Sequence, residues 1–115
     1  MEIFHVAHRA DWEDAKASGS YRVSTKDASL DAVGFIHSSY RHQLPAVAEF
    51  VHAGDEAVLC VLVLDRERIT AAGTRVVDED GGDGQYYPHI YGPIEPDFVT
   101  NVLPARFDAT GTFRF

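Results

Sequence analysis

The alternation of apolar and polar positions divides the chain into several short strands and two longer helical stretches. In Ile3-Phe4-His5-Val6-Ala7 a period of two places Ile3, His5 and Ala7 on one face and Phe4 and Val6 on the other. This predicts a first strand with His5 as its polar member. Arg9 to Gly19 reads as a helix with Trp12 and Ala15 on its buried face, acidic residues in its first turn and Gly19 as its terminator. Gly34-Phe35-Ile36-His37-Ser38-Ser39 is an apolar run that stops at a histidine and two hydroxyls. It predicts a strand ending at a site, with Ser38 or Ser39 accepting from the free amides of the next helix. Leu44, Val47, Ala48 and Val51 follow the i, i+3, i+4, i+7 spacing of an amphipathic helix that Gly54 can end. Pro45 lies awkwardly in that helix and requires either a separate turn at residues 40 to 43 or a kink.

Ala57 to Leu64 is apolar on both faces and bounded by Asp55-Glu56 and Asp65, the pattern of a central strand covered on both sides. Tyr21 to Val23, Thr74 to Val77, Phe98 to Leu103 and Thr112 to Phe115 predict further short strands. Asp65 to Ile69 predicts a helical turn, and Ser24 to Val33 a surface loop with room for one turn of helix. Asp78 to Gly84 is acidic and rich in turn residues. Counted as an EF-hand from Asp78, it puts His89 where a bidentate glutamate belongs, so a solvated hairpin loop is the better reading. These elements predict an α+β fold in a single small domain spanning residues 1 to 115. Its sheet is curved or split, contains Ile3 to Val6, Phe35 to Ser38, Ala57 to Leu64 and Val99 to Leu103, and is covered by two main helices near 11 to 18 and 45 to 53.

Charge narrows the range of partners. Ten basic against 18 acidic residues give a net charge of −8, which opposes nonspecific binding to a polyanion and disfavours a nucleic-acid partner. The single cysteine, Cys60, sits inside the apolar run 58 to 64 and reads as a small buried hydrophobe, in keeping with a cytoplasmic location. No stretch approaches the length needed to span a bilayer, so no membrane partner is expected. Oligomeric state is not legible.

The chemistry is carried by histidines at otherwise apolar or rigidly framed positions. His37 stands at a strand end, where an imidazole can titrate near neutrality and hold a ligand or move a proton. Tyr86-Tyr87-Pro88-His89-Ile90-Tyr91-Gly92-Pro93-Ile94 fixes a histidine and three tyrosines between prolines, and Gly92 permits close backbone approach. A polar side chain at each such position needs a partner. His5, His37 and His89 are therefore expected to converge on one concave pocket, with Tyr91 and Ser39 in its wall and a small-molecule ligand as guest. A metal bound by His5, His8, His37 and His89 is weighed and not expected, because no helical histidine pair supports it and His5 and His8 should diverge. His42 and His52 read as surface residues. A serine hydrolase is remote: neighbours in a strand point to opposite faces, no Gly-x-Ser-x-Gly elbow is present, and no orienting aspartate is identifiable.

His5 on a first strand, Gly34-Phe35-Ile36-His37-Ser38 before a helix, and Tyr87-Pro88-His89-Ile90-Tyr91-Gly92-Pro93-Ile94 near the end together resemble the bacterial domain of unknown function family 952 over nearly the whole chain. The Asp11-Trp12 helix and the Gly19-Ser20-Tyr21 turn agree with that resemblance. The family looks related to the ADP-ribosyltransferase-like superfamily, whose split sheet holds NAD between two half-sheets. The resemblance implies NAD as substrate, His5 on the ribose next to nicotinamide, and His37 packing on the nicotinamide ring. For the third position, a glutamate in many active transferases, the corresponding region offers His89, Tyr91 or the later Glu95, and no glutamate in a convincing strand. Two readings stand side by side. One is an ADP-ribosyltransferase-like enzyme using His37 and His89 catalytically, with His5, Ser39 and Tyr91 binding the nucleotide. The other is a binding module for a nucleotide or small metabolite that has kept the pocket without the chemistry.

Overall fold

The computed structural model describes all 115 residues. The chain runs through β1 (Glu2–His8), α1 (Arg9–Ser18), β2 (Val23–Thr25), β3 (Ala28–Ser29), α2 (Leu30–Val33) and β4 (Ile36–His37). It continues through α3 (Leu44–Val51), β5 (Leu59–Asp65), α4 (Arg66–Ala71), β6 (Val76–Asp80), β7 (Tyr86–Ile90), β8 (Val99–Phe107) and β9 (Phe113–Arg114). The continuous apolar run of β5 cannot face water on either side, and the rest of the fold covers it. Cys60, Leu62 and Leu64 project into one core with Ile3, Ala7, Trp12 and Ile90. Leu59, Val61 and Val63 project into a second core with Phe4, Leu44, Ala48 and Phe113. Helix α1 covers the first face through Trp12 and Ala15, and α3 covers the second through Leu44 and Ala48.

Strand β5 pairs antiparallel with β1, Val6 opposite Val61, and on its other edge with β8, in a four-stranded sheet of order β1-β5-β8-β9. A second sheet has order β4-β7-β6, with His37 opposite His89. The two join where Phe4 and Ser39 exchange backbone hydrogen bonds of 2.8 Å each way, and Tyr21 pairs with Ile94 in the same manner nearby. The result is an α+β domain whose sheet curls into a half-barrel, with four helices of which α1 and α3 are the longest.

Several local expectations are revised. The 3₁₀ turn at Arg41–Gln43 is separate from α3, so Pro45 falls in the first helical turn, where its missing amide has no intrahelical acceptor to lose. The turn is capped by Gln43, whose side chain accepts from the Tyr40 amide at 3.0 Å, not by Ser38 or Ser39. Both serines are buried instead, and Ser38 donates to the Pro88 carbonyl. The stretch Ser24 to Val33 is not a surface loop throughout, because it forms the β2–β3 hairpin and α2, and Ser24 is buried with its hydroxyl on the Phe35 carbonyl at 2.5 Å. Strand β6 extends through Asp78, Glu79 and Asp80, which shortens the acidic loop. There Asp80 and Asp83 accept from the Gly82 and Gln85 amides at 2.8 and 3.0 Å, as turn carboxylates do. Tyr86 to Ile90 is a regular strand. Gly92 permits the close approach expected of it, since a Cβ there would lie 3.0 Å from the Thr74 methyl.

Cys60 is fully buried, and desolvation pushes its thiol up to about 11. Thiolate and access are both required for attack, so native protein should react with an aromatic disulfide reagent no faster than it unfolds. Cys60→Ser should fold and lose roughly 1–3 kcal/mol, from burying a hydroxyl among apolar groups. Labelling within the mixing time in the absence of denaturant would contradict this burial.

Candidate functional site

His5 points from β1 into the first core, where an unpaired imidazole would be costly. Its Nδ1 lies 2.5 Å from the His37 carbonyl oxygen, which can only accept, so Nδ1 carries the hydrogen. Nε2 is then free to accept from the Tyr21 hydroxyl at 2.8 Å. Both nitrogens are engaged in the neutral ring. Burial, reinforced by His37, overcomes the opposing carbonyl bond and lowers this imidazole from 6.5 to about 4. His5 thus ties the first sheet to β4 and to the segment before β2.

On the other side of β4 the ring of His37 meets that of His89 edge to face, 5.4 Å between centroids. Phe35 stacks on His89 at 4.0 Å and lies 5.6 Å from Tyr91. His89 Nδ1 donates to Glu79 Oε1 at 2.9 Å, and the Tyr91 hydroxyl donates to the same oxygen. These bonds, Tyr91 first and His89 second, hold the Glu79 carboxyl below its usual range. The Arg75 guanidinium lies over the Tyr91 ring at 5.0 Å. Partial desolvation and then the neighbouring His89 lower the His37 imidazole.

Two cavities lie beside β1. The larger, about 230 Å³, is enclosed by the end of β1, the start of α1 and the β2–β3 hairpin; its polar lining includes His8, Asp11, Lys26, Asp27 and His52. The smaller, about 30 Å³, is lined by His5, His37, Ser39 and the apolar side of α3, among others. Val6, Thr25 and His52 line both.

Two of the residues lining the larger cavity, His8 and His52, belong to a three-residue cluster with Asp55. Asp55 Oδ2 accepts from His8 Nε2 at 2.6 Å and from His52 Nδ1 at 2.8 Å. Asp55 Oδ1 accepts from the Ala57 amide at 3.0 Å. The loop geometry follows from the sequence: α3 stops at Val51, Gly54 adopts φ 72°, and the chain folds Asp55 back over the helix end. Burial alone would raise the Asp55 carboxyl, but the bonds from His52, His8 and the Ala57 amide outweigh it and hold the group well below the usual carboxylate range.

The expected constellation is therefore brought together in part. His37, His89 and Tyr91 form one cluster, and His37 is also shared with the small cavity that His5 and Ser39 line. His89 and Tyr91 line neither of these two cavities, and His5 and Ser39 meet His37 in the smaller one. His52, read as a surface residue, is 4% exposed. Position 52 continues the Leu44, Ala48 spacing by one more step of four, and that signal places it on the buried face. Glu79 was concealed in an acidic stretch read as loop, although Val76 and Val77 lead directly into it. The His8–Asp55 pairing spans 47 positions and left no local signal.

The buried His5 sets a pH dependence. In the unfolded chain its imidazole takes a proton near 6.5, whereas in the fold, between the Tyr21 hydroxyl and the His37 carbonyl, it does so only near 4. Stability should therefore fall as pH drops through that window, by roughly 3 kcal/mol for this group. Urea unfolding between pH 7 and 4 should show the slope, and His5→Asn, which keeps a polar group and removes the titration, should flatten it. An unchanged slope in that variant would assign the effect to other groups.

A family model described as a protein of unknown function, DUF952, matches residues 6–102. The crystal structure of protein CC0527 from Caulobacter crescentus superposes with a TM-score of 0.83 at 29% identity, covering 99% of this chain and 94% of that one. The solution structure of CC0527 gives a TM-score of 0.76 at 29% identity, over 96% and 90% of the two chains. No curated protein matches the chain. No helix is long and apolar enough to cross a membrane. With nearly its whole length matched in sequence and in fold, this chain belongs to the DUF952 family.

Proposed function

We propose that the protein binds a nucleotide-class small metabolite, NAD or a part of it, in the cavities beside β1. The observation that carries this reading is that the two cavities adjoin, with Val6, Thr25 and His52 in both linings, and differ in the chemistry of the rest of their walls. In the larger cavity Lys26 and the imidazoles suit a phosphate, Asp11 and Asp27 suit sugar hydroxyls, and Val6, Val23 and Ala28 offer an apolar wall. A cavity of about 230 Å³ accommodates one nucleoside-sized portion, and the remainder of a dinucleotide would run past Val6 toward His37.

A second reading, glycosyl transfer of the ADP-ribosyltransferase type, is favoured by Glu79. Cleavage at the nicotinamide ribose passes through an oxocarbenium-like state that needs fixed negative charge nearby. Glu79 supplies a carboxylate on a strand, oriented by His89 and Tyr91 and one ring away from His37. In this scheme His37 and His89 occupy the catalytic end and Ser39 borders the nucleotide. His5 acts through its bonds to His37 and Tyr21, positioning the strand ends.

Thermal shift and calorimetric titration with NAD, ADP-ribose, nicotinamide mononucleotide and ribose 5-phosphate test the first reading. Ligand at about a hundred times its Kd should stabilise the fold by roughly 2.7 kcal/mol, and Lys26→Ala should weaken binding of the phosphorylated ligands while leaving the fold intact. No shift with any of the four at millimolar concentration would overturn it. Chromatography of nicotinamide from NAD incubations tests the second: release abolished by Glu79→Gln supports transfer, and binding without release leaves the protein a binding module.

A further inference from the structure

We infer that His8, His52 and Asp55 form a site for a divalent transition ion of the zinc class, with its remaining coordination position open to the 230 Å³ cavity. The inference shares that cavity with the nucleotide reading but rests on the cluster alone. Two imidazoles and one carboxylate, His8 from the end of β1 and His52 and Asp55 three residues apart after α3, offer three ligand atoms within 4.8 Å of one another. Two histidines with one carboxylate, plus an exogenous fourth ligand, is the donor set of zinc sites that keep an open position. The surroundings are those of a built site. His52 is 4% exposed, the Asp55 side chain 7%, and the second Asp55 oxygen is fixed by the Ala57 amide.

The present hydrogen-bond distances of 2.6 and 2.8 Å are shorter than the roughly 3.4 Å edge of a tetrahedron with bonds of about 2.1 Å. A modest opening of the Asp55 turn admits the ion. Each ligating nitrogen must give up its hydrogen, and in a neutral imidazole that proton moves to the other ring nitrogen. For His8 this is Nδ1, 3.9 Å from Asp11 Oδ2, a carboxylate placed to orient a metal-bound imidazole from the outer shell. For His52 it is Nε2, on a ring that lines both cavities. His8 and His52 line the same cavity as Lys26, Thr25 and Asp27, so water or an oxygen of a small ligand held there can complete the coordination.

The test uses full-length protein without an affinity tag, stripped with chelator and titrated with Zn²⁺ by calorimetry in the absence of nucleotide. Bound metal is counted after dialysis, and Co²⁺ is added in parallel as a spectroscopic probe. The expected result is one ion per chain and visible ligand-field absorption from Co²⁺. His8→Gln and Asp55→Asn should each weaken Zn²⁺ binding by at least about tenfold, whereas His42→Gln, at an exposed histidine, should leave it unchanged. If Asp55→Asn fails to fold, His8→Gln decides, because His8 is only half-buried at the end of β1. Substoichiometric metal, or affinity unchanged in His8→Gln, would make the cluster a hydrogen-bonded clasp and overturn the assignment. Since nucleotide is left out, this result stands apart from the outcome of the nucleotide titrations.

Discussion

Burying six consecutive apolar residues, Leu59 to Leu64, on both faces of one strand is the demand from which the rest of this architecture follows. Each large aliphatic side chain removed from water contributes on the order of 1.5–3 kcal/mol, and β5 presents them alternately to two cores. One face takes α1 and the second sheet, the other takes α3 and the C-terminal Phe113, and neither set of partners suffices for both. The first sheet therefore runs through the middle of the molecule. Its edge at β1 becomes the place where the second sheet, the β2–β3 hairpin and the end of α3 meet, and the two cavities lie along that edge.

A polar side chain is built into the seam. His5 replaces what would be a third aliphatic residue on the inner face of β1, and its two nitrogens reach β4 and Tyr21. Because the ring is buried and neutral, it specifies the approach of one sheet to the other through directional bonds that an aliphatic side chain could not make. The backbone exchange between Phe4 and Ser39 lies one residue away on β1, so the same joint that holds the sheets together also sets His37 in the lining of the smaller cavity.

Two polar clusters flank this joint, and they differ in kind. The His37–His89–Tyr91–Glu79 cluster is aromatic, half-exposed and anchored by one carboxylate oxygen shared between a ring N–H and a phenol. The His8–Asp55–His52 cluster is more enclosed, and its carboxylate sits between two imidazoles that line a cavity. The first suits charge stabilisation beside a ligand, the second the binding of a cation or a proton shared between rings. His37 of the first cluster lines the smaller cavity and His8 of the second lines the larger, and Val6, Thr25 and His52 are common to both linings.

Periodicity alone was enough for the elements whose burial is local: the two-sided strand, expected over 57 to 64 and found over 59 to 65, the Trp12–Ala15 face and the amphipathic stripe from Leu44, whereas the choice between a turn and a kink ahead of Pro45 was made by the structure. It was also enough to single out His5, His37, His89 and Tyr91, because a histidine or tyrosine set among apolar or proline-fixed neighbours is conspicuous in one dimension. Which of these groups meet was decided by strand pairing. The antiparallel register sets His37 opposite His89 and brings Glu79 to the rings of β7, and the curl of the sheet leaves His5 facing inward to Tyr21. The His8–Asp55–His52 cluster is completed by tertiary structure, since only its His52–Asp55 pair, three residues apart, is local. Its members come from a strand end, a helix end and a loop, and a contact between residues 47 positions apart has no periodic trace in sequence, since only the packing of α3 against β1 creates it.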